Sequence, residues 1–124
     1  MEILVVDDNV QLLKYIQGFL TDVGHDVAAA ESAEIALQVV EETKRNFDVV
    51  VTDLSMPGMN GIDLWNELKG ILPQAKVLFI SASSEDFMKH YVPGAFLGKP
   101  FTLDVLHERV LQLSDEQDSY VRNA

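Results

Sequence analysis

The chain has no cysteine in its 124 residues, which removes disulfide frameworks and thiolate chemistry together. No apolar run approaches the ~18 residues that a membrane-spanning helix needs. The first residues form a strand-like run closed by two acids, unlike a secretory leader. The cytoplasm is therefore the expected location. Basic residues are scarce: 9 Lys plus Arg stand against 20 Asp plus Glu, for a formal charge of −11. Nucleic acid and anionic lipid both demand a basic face, so contact with neither is expected. The acid excess suits a bound cation. It equally suits a surface kept soluble by charge, since Glu41, Glu42, Asp115, Glu116 and Asp118 lie far in sequence from any candidate site. Phosphate-cradling patterns are missing as well. There is no G-x-G-x-x-G, no G-x-x-x-x-G-K-[ST] and no G-x-S-x-G nucleophile elbow.

What is present is one domain's worth of chain, with 48% hydrophobic residues and enough length for a single core. Strand-like and helix-like segments alternate. A strand at 2–6 is followed by Asp7, Asp8 and the candidate cap Asn9, then by a helix at 10–22. Leu13, Ile16 and Leu20 set that helix's apolar face, flanked by Leu12, Tyr15 and Phe19, and Gly24 is a suitable stop. A short strand at 26–30 precedes a helix from the Ser32 cap to about 43. The most apolar strand, 48–52, leads into Asp53 and a Pro/Gly-rich turn. A helix at 61–69 points Leu64, Trp65 and Leu68 inward, and a strand at 76–80 ends at Ser81. Residues 84–90 suggest one or two helical turns. A strand at 95–97 runs into Gly98-Lys99-Pro100. The Thr102 cap opens a last helix to about 113, and the polar tail 115–124 is expected to fray.

Five such alternations predict an α/β fold: a doubly wound, flavodoxin-like five-stranded parallel sheet with helices on both faces. The common order for five strands is 2-1-3-4-5, with the ligand crevice between strands one and three. Those are the strands that deliver Asp7-Asp8 and Asp53. Three carboxylates converging there repel one another unless a cation offsets them or one takes a proton. Hard oxygen donors of this kind suit Mg²⁺, usually held with waters and phosphate oxygens. A carboxylate can serve as a phosphoryl acceptor, and Lys99 and the Ser81 hydroxyl can hold phosphate oxygens. Each residue alone has a plainer reading, as a turn former, a helix cap or a solvated lysine. Their joint placement at successive strand ends is what points to chemistry. His25, His90 and His107 show no metal or catalytic spacing and read as surface residues. Met56 and Met59 read as packing for the turn, and Trp65 as core.

Three stretches then carry a family resemblance: Val5-Val6-Asp7-Asp8-Asn9; Asp53-Leu54-Ser55-Met56-Pro57-Gly58-Met59-Asn60-Gly61; and Phe96-Leu97-Gly98-Lys99-Pro100-Phe101. The chain resembles the receiver domain of two-component response regulators, the CheY-like fold, over residues 3 to about 113, with the domain set at 1–114. The resemblance implies that Asp53 accepts a phosphoryl group from a phosphohistidine. It implies that Asp7, Asp8, Asp53 and the Ser55 backbone carbonyl hold Mg²⁺. Ser81 and Lys99 match the hydroxyl and lysine that engage the phosphate, with a cis bond before Pro100. Phe96 matches the aromatic switch position, and Ser55 and Ser83 match positions that tune phosphate lifetime. The implied partners are a histidine kinase or histidine phosphotransfer protein and a downstream protein. The chain would be no enzyme beyond promoting its own phosphorylation and dephosphorylation.

Two features depart from the family pattern. The Ser81-to-Lys99 interval is short, and residues 83–93 lack the alanine-rich amphipathic helix usual before the last strand. That helix is expected to be short or irregular. The shortened interval is similar to receivers at the C-termini of hybrid histidine kinases. Two other readings remain open on sequence: a Mg²⁺-dependent phosphatase or phosphotransferase acting on a small molecule, and a binding module that keeps the fold without phosphorylation. An Asp two residues after the nucleophile, as in haloacid-dehalogenase-like phosphatases, is missing from Asp53-Leu54-Ser55.

Overall fold

The structure, a computed structural model, describes residues 1–82 and 94–123, with side chains to 114. The elements are β1 (Glu2–Val6), α1 (Val10–Asp22), β2 (Asp26–Ala30), α2 (Ala33–Thr43), β3 (Val49–Asp53), α3 (Gly61–Leu68), β4 (Lys76–Ser81), β5 (Ala95–Gly98) and α4 (Leu103–Asn123). All strand pairings are parallel, and the order is β2-β1-β3-β4-β5. The expected helix at 84–90, together with Ser83, His90 and Pro93, lies outside the described residues.

Continuous apolar strands follow from a sheet covered on both sides. Ile3, Val5, Val49, Val51, Leu78, Ile80 and Leu97 pack with α1 and α4, against Leu13, Ile16, Leu20, Leu106, Val110 and Leu113. Leu4, Val6, Val50, Val77 and Phe79 pack with α2 and α3, against Ala36, Val40, Leu64, Trp65 and Leu68. Successive strand residues alternate faces, so each residue's parity decides which helices cover it. The helix starts are fixed by side-chain caps: Asn9 accepts from the Leu12 N–H, Ser32 from Ile35, Asn60 from Asp63 and Thr102 from Val105. Gly24, at φ +103°, turns the chain out of α1, a conformation that penalises any residue with a Cβ.

Four expectations change. Asp53 and Ser81 are the last residues of β3 and β4, not the first beyond them. Helix α4 continues past 113 to Asn123. No Pro or Gly interrupts Ser114 to Arg122, so nothing in the backbone chemistry stops it, although the last side chain described as buried is Leu113. Tyr15 is 69% exposed and takes no part in the face of α1 that Leu13, Ile16 and Leu20 bury. His25 and His107 are not free surface residues. Their Nε2 atoms are 2.9 Å apart, and the Met1 ammonium lies 3.0 Å from His25 Nδ1. Burial, then the Met1 ammonium, then His107 hold His25 below the ordinary histidine range. Among the described residues, no helix is long and apolar enough to cross a membrane.

Leu106 is fully buried under the sheet. Leu106→Ala is expected to cost about 2–5 kcal/mol of unfolding free energy. Tyr15→Ala should stay within ~0.5 kcal/mol. Urea unfolding of both variants measures the contrast.

Candidate functional site

Sheet register assembles the site. Val6 pairs with Thr52, so the next residues, Asp7 and Asp53, leave adjacent strands together. Ser81 pairs with Gly98, and the Lys99 N–H donates to the Ser81 carbonyl at 2.7 Å. By alternation, Asp7 continues the Ile3–Val5 series, Asp53 the Val49–Val51 series and Lys99 the Leu97 side, all on the face covered by α1 and α4. Ser81 continues from Val77 and Phe79 on the other face, and Phe96 packs there too. Phe96 pairs with Phe79, which brings the two switch candidates to one side of the sheet.

Asp7 is completely buried, Asp53 is 6% exposed, Ser81 is buried and Asp8 is exposed. Asp53 is held by two donors: the Ser55 N–H at 3.2 Å on Oδ1 and the Lys99 ammonium at 3.0 Å on Oδ2. The Asn9 N–H donates to Asp7 Oδ1 at 2.8 Å. Asp7 Oδ2 accepts no hydrogen bond and stands 3.6 Å from Lys99 Nζ. Burial pushes the Asp7 carboxyl up. The Asn9 N–H opposes this, the Asp53 charge adds to it, Lys99 opposes it and Asp8 adds again. Burial works to lower the Lys99 pKa, but the hydrogen bond to Asp53 and the Asp53 and Asp7 charges outweigh it and raise the value. The bond between Lys99 and Pro100 is cis.

Ligand oxygens of Asp7, Asp8 and Asp53 all lie within 4.8 Å of one another. Three carboxylates against one ammonium leave two negative charges without a partner. Among the described residues, Asp7 Oδ2 is the one buried side-chain N or O atom without a hydrogen bond. An all-oxygen donor set with a two-charge excess and an unsatisfied buried lone pair fits a hard divalent cation such as Mg²⁺.

Two contributors were not singled out from sequence. Gly61 opens α3, and a Cβ there would collide with the Asp53 carbonyl oxygen and come 3.1 Å from Leu54 Cα. Its missing side chain lets α3 close against the end of β3, and its N–H donates to the Leu54 carbonyl at 3.0 Å. The signal available was a glycine inside a helix start, where it is costly without a packing reason. Glu34, in the first turn of α2, reaches the Met59 N–H at 3.4 Å and so ties α2 to the loop after β3. No local pattern marks that contact.

Fold and site together define a doubly wound parallel α/β domain with an acidic, cation-competent crevice at the carboxyl ends of β1 and β3. A family model described as response regulator receiver domain matches residues 3–111, and the chain belongs to that family. It is 36% identical over 99 residues to the sensor kinase CckA of Brucella abortus, covering 77% of this chain and 10% of the kinase. The chain spans 10–56% of the length of the curated relatives it matches, less than two thirds of each. The solved receiver domain of the hybrid histidine kinase CckA superposes with a TM-score of 0.79 at 32% identity, covering 91% of this chain and 98% of that one. The response regulator TrrA of Thermotoga maritima, solved in complex with Mg²⁺-BeF, superposes at 0.76 with 29% identity, covering 90% and 97%.

Asp7 must ionise in surroundings that raise its pKa, so it subtracts stability above its folded-state pKa. The penalty disappears as pH falls and the proton returns. In Mg²⁺-free protein, Asp7→Asn is expected to raise stability on the order of 1 kcal/mol near neutral pH, the gain fading as pH falls through the carboxylate range. Urea unfolding at neutral pH and at a pH within the carboxylate range reads this. A loss of stability at neutral pH would mean that the Lys99 attraction outweighs burial.

Proposed function

We propose that this chain is a Mg²⁺-dependent phosphoacceptor switch in a two-component phosphorelay, with Asp53 as the acceptor. The observation that carries the reading is the Asp53 carboxylate: buried, oriented by the Ser55 N–H and Lys99, and flanked by the acids Asp7 and Asp8. Membership of the receiver family supports it.

In this reading an Asp53 oxygen attacks the phosphorus of a phosphohistidine. The new P–O bond forms as the P–N bond breaks, and its electron pair returns to the imidazole of the donor. Asp7, Asp8, Asp53 and the Ser55 carbonyl would hold Mg²⁺, and the ion would supply charge neutralisation between the acceptor and the incoming phosphoryl group. The TrrA complex with Mg²⁺-BeF supports this metal. Lys99 already touches Asp53 Oδ2, so its ammonium is poised to pass to a phosphoryl oxygen attached there. The Ser81 hydroxyl turns toward the same group, and Phe96, on the same face of the sheet, follows it. The surface around Ala82 and residues 94–101 then changes shape and alters protein binding. This is a two-state element biased by local charge.

The partners are a histidine kinase or histidine phosphotransfer protein and a downstream protein, with no role for nucleic acid or membrane. The setting is cytoplasmic, and the switching domain is 1–114 with 115–124 as its tail. The likeness to the CckA receiver favours a second setting for the same chemistry, as a receiver joined to its own sensor kinase.

Intact-mass spectrometry after incubation with acetyl phosphate tests the acceptor. One added phosphoryl group is expected on wild type with Mg²⁺, and none without Mg²⁺ or on Asp53→Asn. Phosphorylation of Asp53→Asn as readily as wild type would sink the assignment.

A further inference from the structure

The proposed switch makes no use of the two histidines that meet below the sheet. His25 lies in the turn between α1 and β2, and His107 stands in the second turn of α4. Their Nε2 atoms are 2.9 Å apart, the ring planes cross at 72° and the ring centres are 5.1 Å apart. Two further groups face the pair: the Phe19 ring, edge-on to His107 at 6.0 Å, and the Met1 ammonium on the far nitrogen of His25.

We propose that His25 and His107 form a two-imidazole site for a borderline divalent cation of the zinc class. Neutral imidazole nitrogen is the commonest protein donor to such ions. On one tetrahedral zinc with Zn–N bonds of about 2.0–2.1 Å, two imidazole centres stand roughly 5.2 Å apart. Here they already stand 5.1 Å apart. Each ring therefore needs only to tilt about its own centre, by roughly 35°, to aim its lone pair at a shared ion in place of the other nitrogen. The proton that bridges the two rings leaves Nε2 for the Nδ1 of its own ring; on His25 that nitrogen faces the Met1 ammonium, which gives a proton to solvent and then accepts from Nδ1–H.

Donor type separates this site from the acid crevice. Imidazole suits zinc, nickel and copper, whereas a carboxylate cluster suits Mg²⁺. The net charge of −11 raises the local concentration of any cation. An ion here would clamp α4 to the end of α1, two elements that belong to one apolar cluster.

The test is calorimetric titration of zinc alone into the 124-residue chain. Saturating Mg²⁺ keeps the acid crevice filled, and His90→Asn in every sample removes the third imidazole. One zinc per chain is expected. Affinity should fall about ten-fold or more in His25→Asn and in His107→Asn separately. Side-chain ¹⁵N spectra of the chain with His25 and His107 intact give a reading that no folding defect can mimic. Zinc should shift the Nε2 resonances of both rings. The proposal is overturned if both single variants bind zinc within about two-fold of the parent, or if only one of the two Nε2 resonances moves.

Discussion

Everything at the working edge of this domain depends on the contact between Lys99 and two buried carboxylates. At 3.0 Å and an effective dielectric of ~20, the Lys99–Asp53 attraction is about 5 kcal/mol before desolvation, which offsets much of it. The same ammonium is 3.6 Å from Asp7, whose carboxyl burial already pushes up. One cation thus serves two anions that would otherwise face each other in a place poor in water. It does not serve both fully, since Asp7 Oδ2 still lacks a hydrogen bond. An arrangement so under-neutralised is costly as architecture and has its natural use in accepting positive charge, or a group brought in with positive charge.

Strand parity explains how one site reaches both layers of the fold. The acids and Lys99 continue strand positions covered by α1 and α4, while Ser81 and Phe96 continue positions covered by α2 and α3. The sheet is one residue thick, so a group attached to Asp53 is within one strand of the Ser81 face. Gly61 matters in the same way. Its missing Cβ lets the start of α3 sit against the Asp53 carbonyl at the end of β3.

The elements visible in the sequence were those set by local chemistry. Runs such as Val49-Val50-Val51 announce a strand covered on both faces, and Asn9, Ser32 and Thr102 mark helix starts because their side chains replace missing backbone acceptors; Asn60 caps α3 in the same way in the structure. The acid crevice was legible too, because strand order follows from the alternation of elements and each acid ends a strand. What stayed hidden depends on tertiary distance. His25 and His107 are 82 positions apart, and no periodicity relates a turn residue to a helix residue so remote. Glu34 reaches Met59 across 25 positions for the same reason. The end of α4 lies beyond the point where polarity suggests a stop, because helices are stopped by backbone chemistry that Ser114 to Arg122 lacks.

Helix α4 is where the two ends of the molecule meet. Arg109 donates to the Phe96 carbonyl at 3.0 Å, which ties α4 to the strand carrying the proposed aromatic switch. Two residues earlier on the same helix, His107 grips His25 at the opposite end of α1 from Asn9 and the acid crevice. Helix α1, at 13 residues, spans roughly 20 Å between those ends. If α4 shifts when Phe96 moves, then whatever locks His107 to His25 must oppose that shift. By linkage, the switched state must then weaken the lock by the same free energy. The coupling needs no continuous chain of side chains between the crevice and the histidines. It needs only that one helix has two positions and that both contacts prefer the same one.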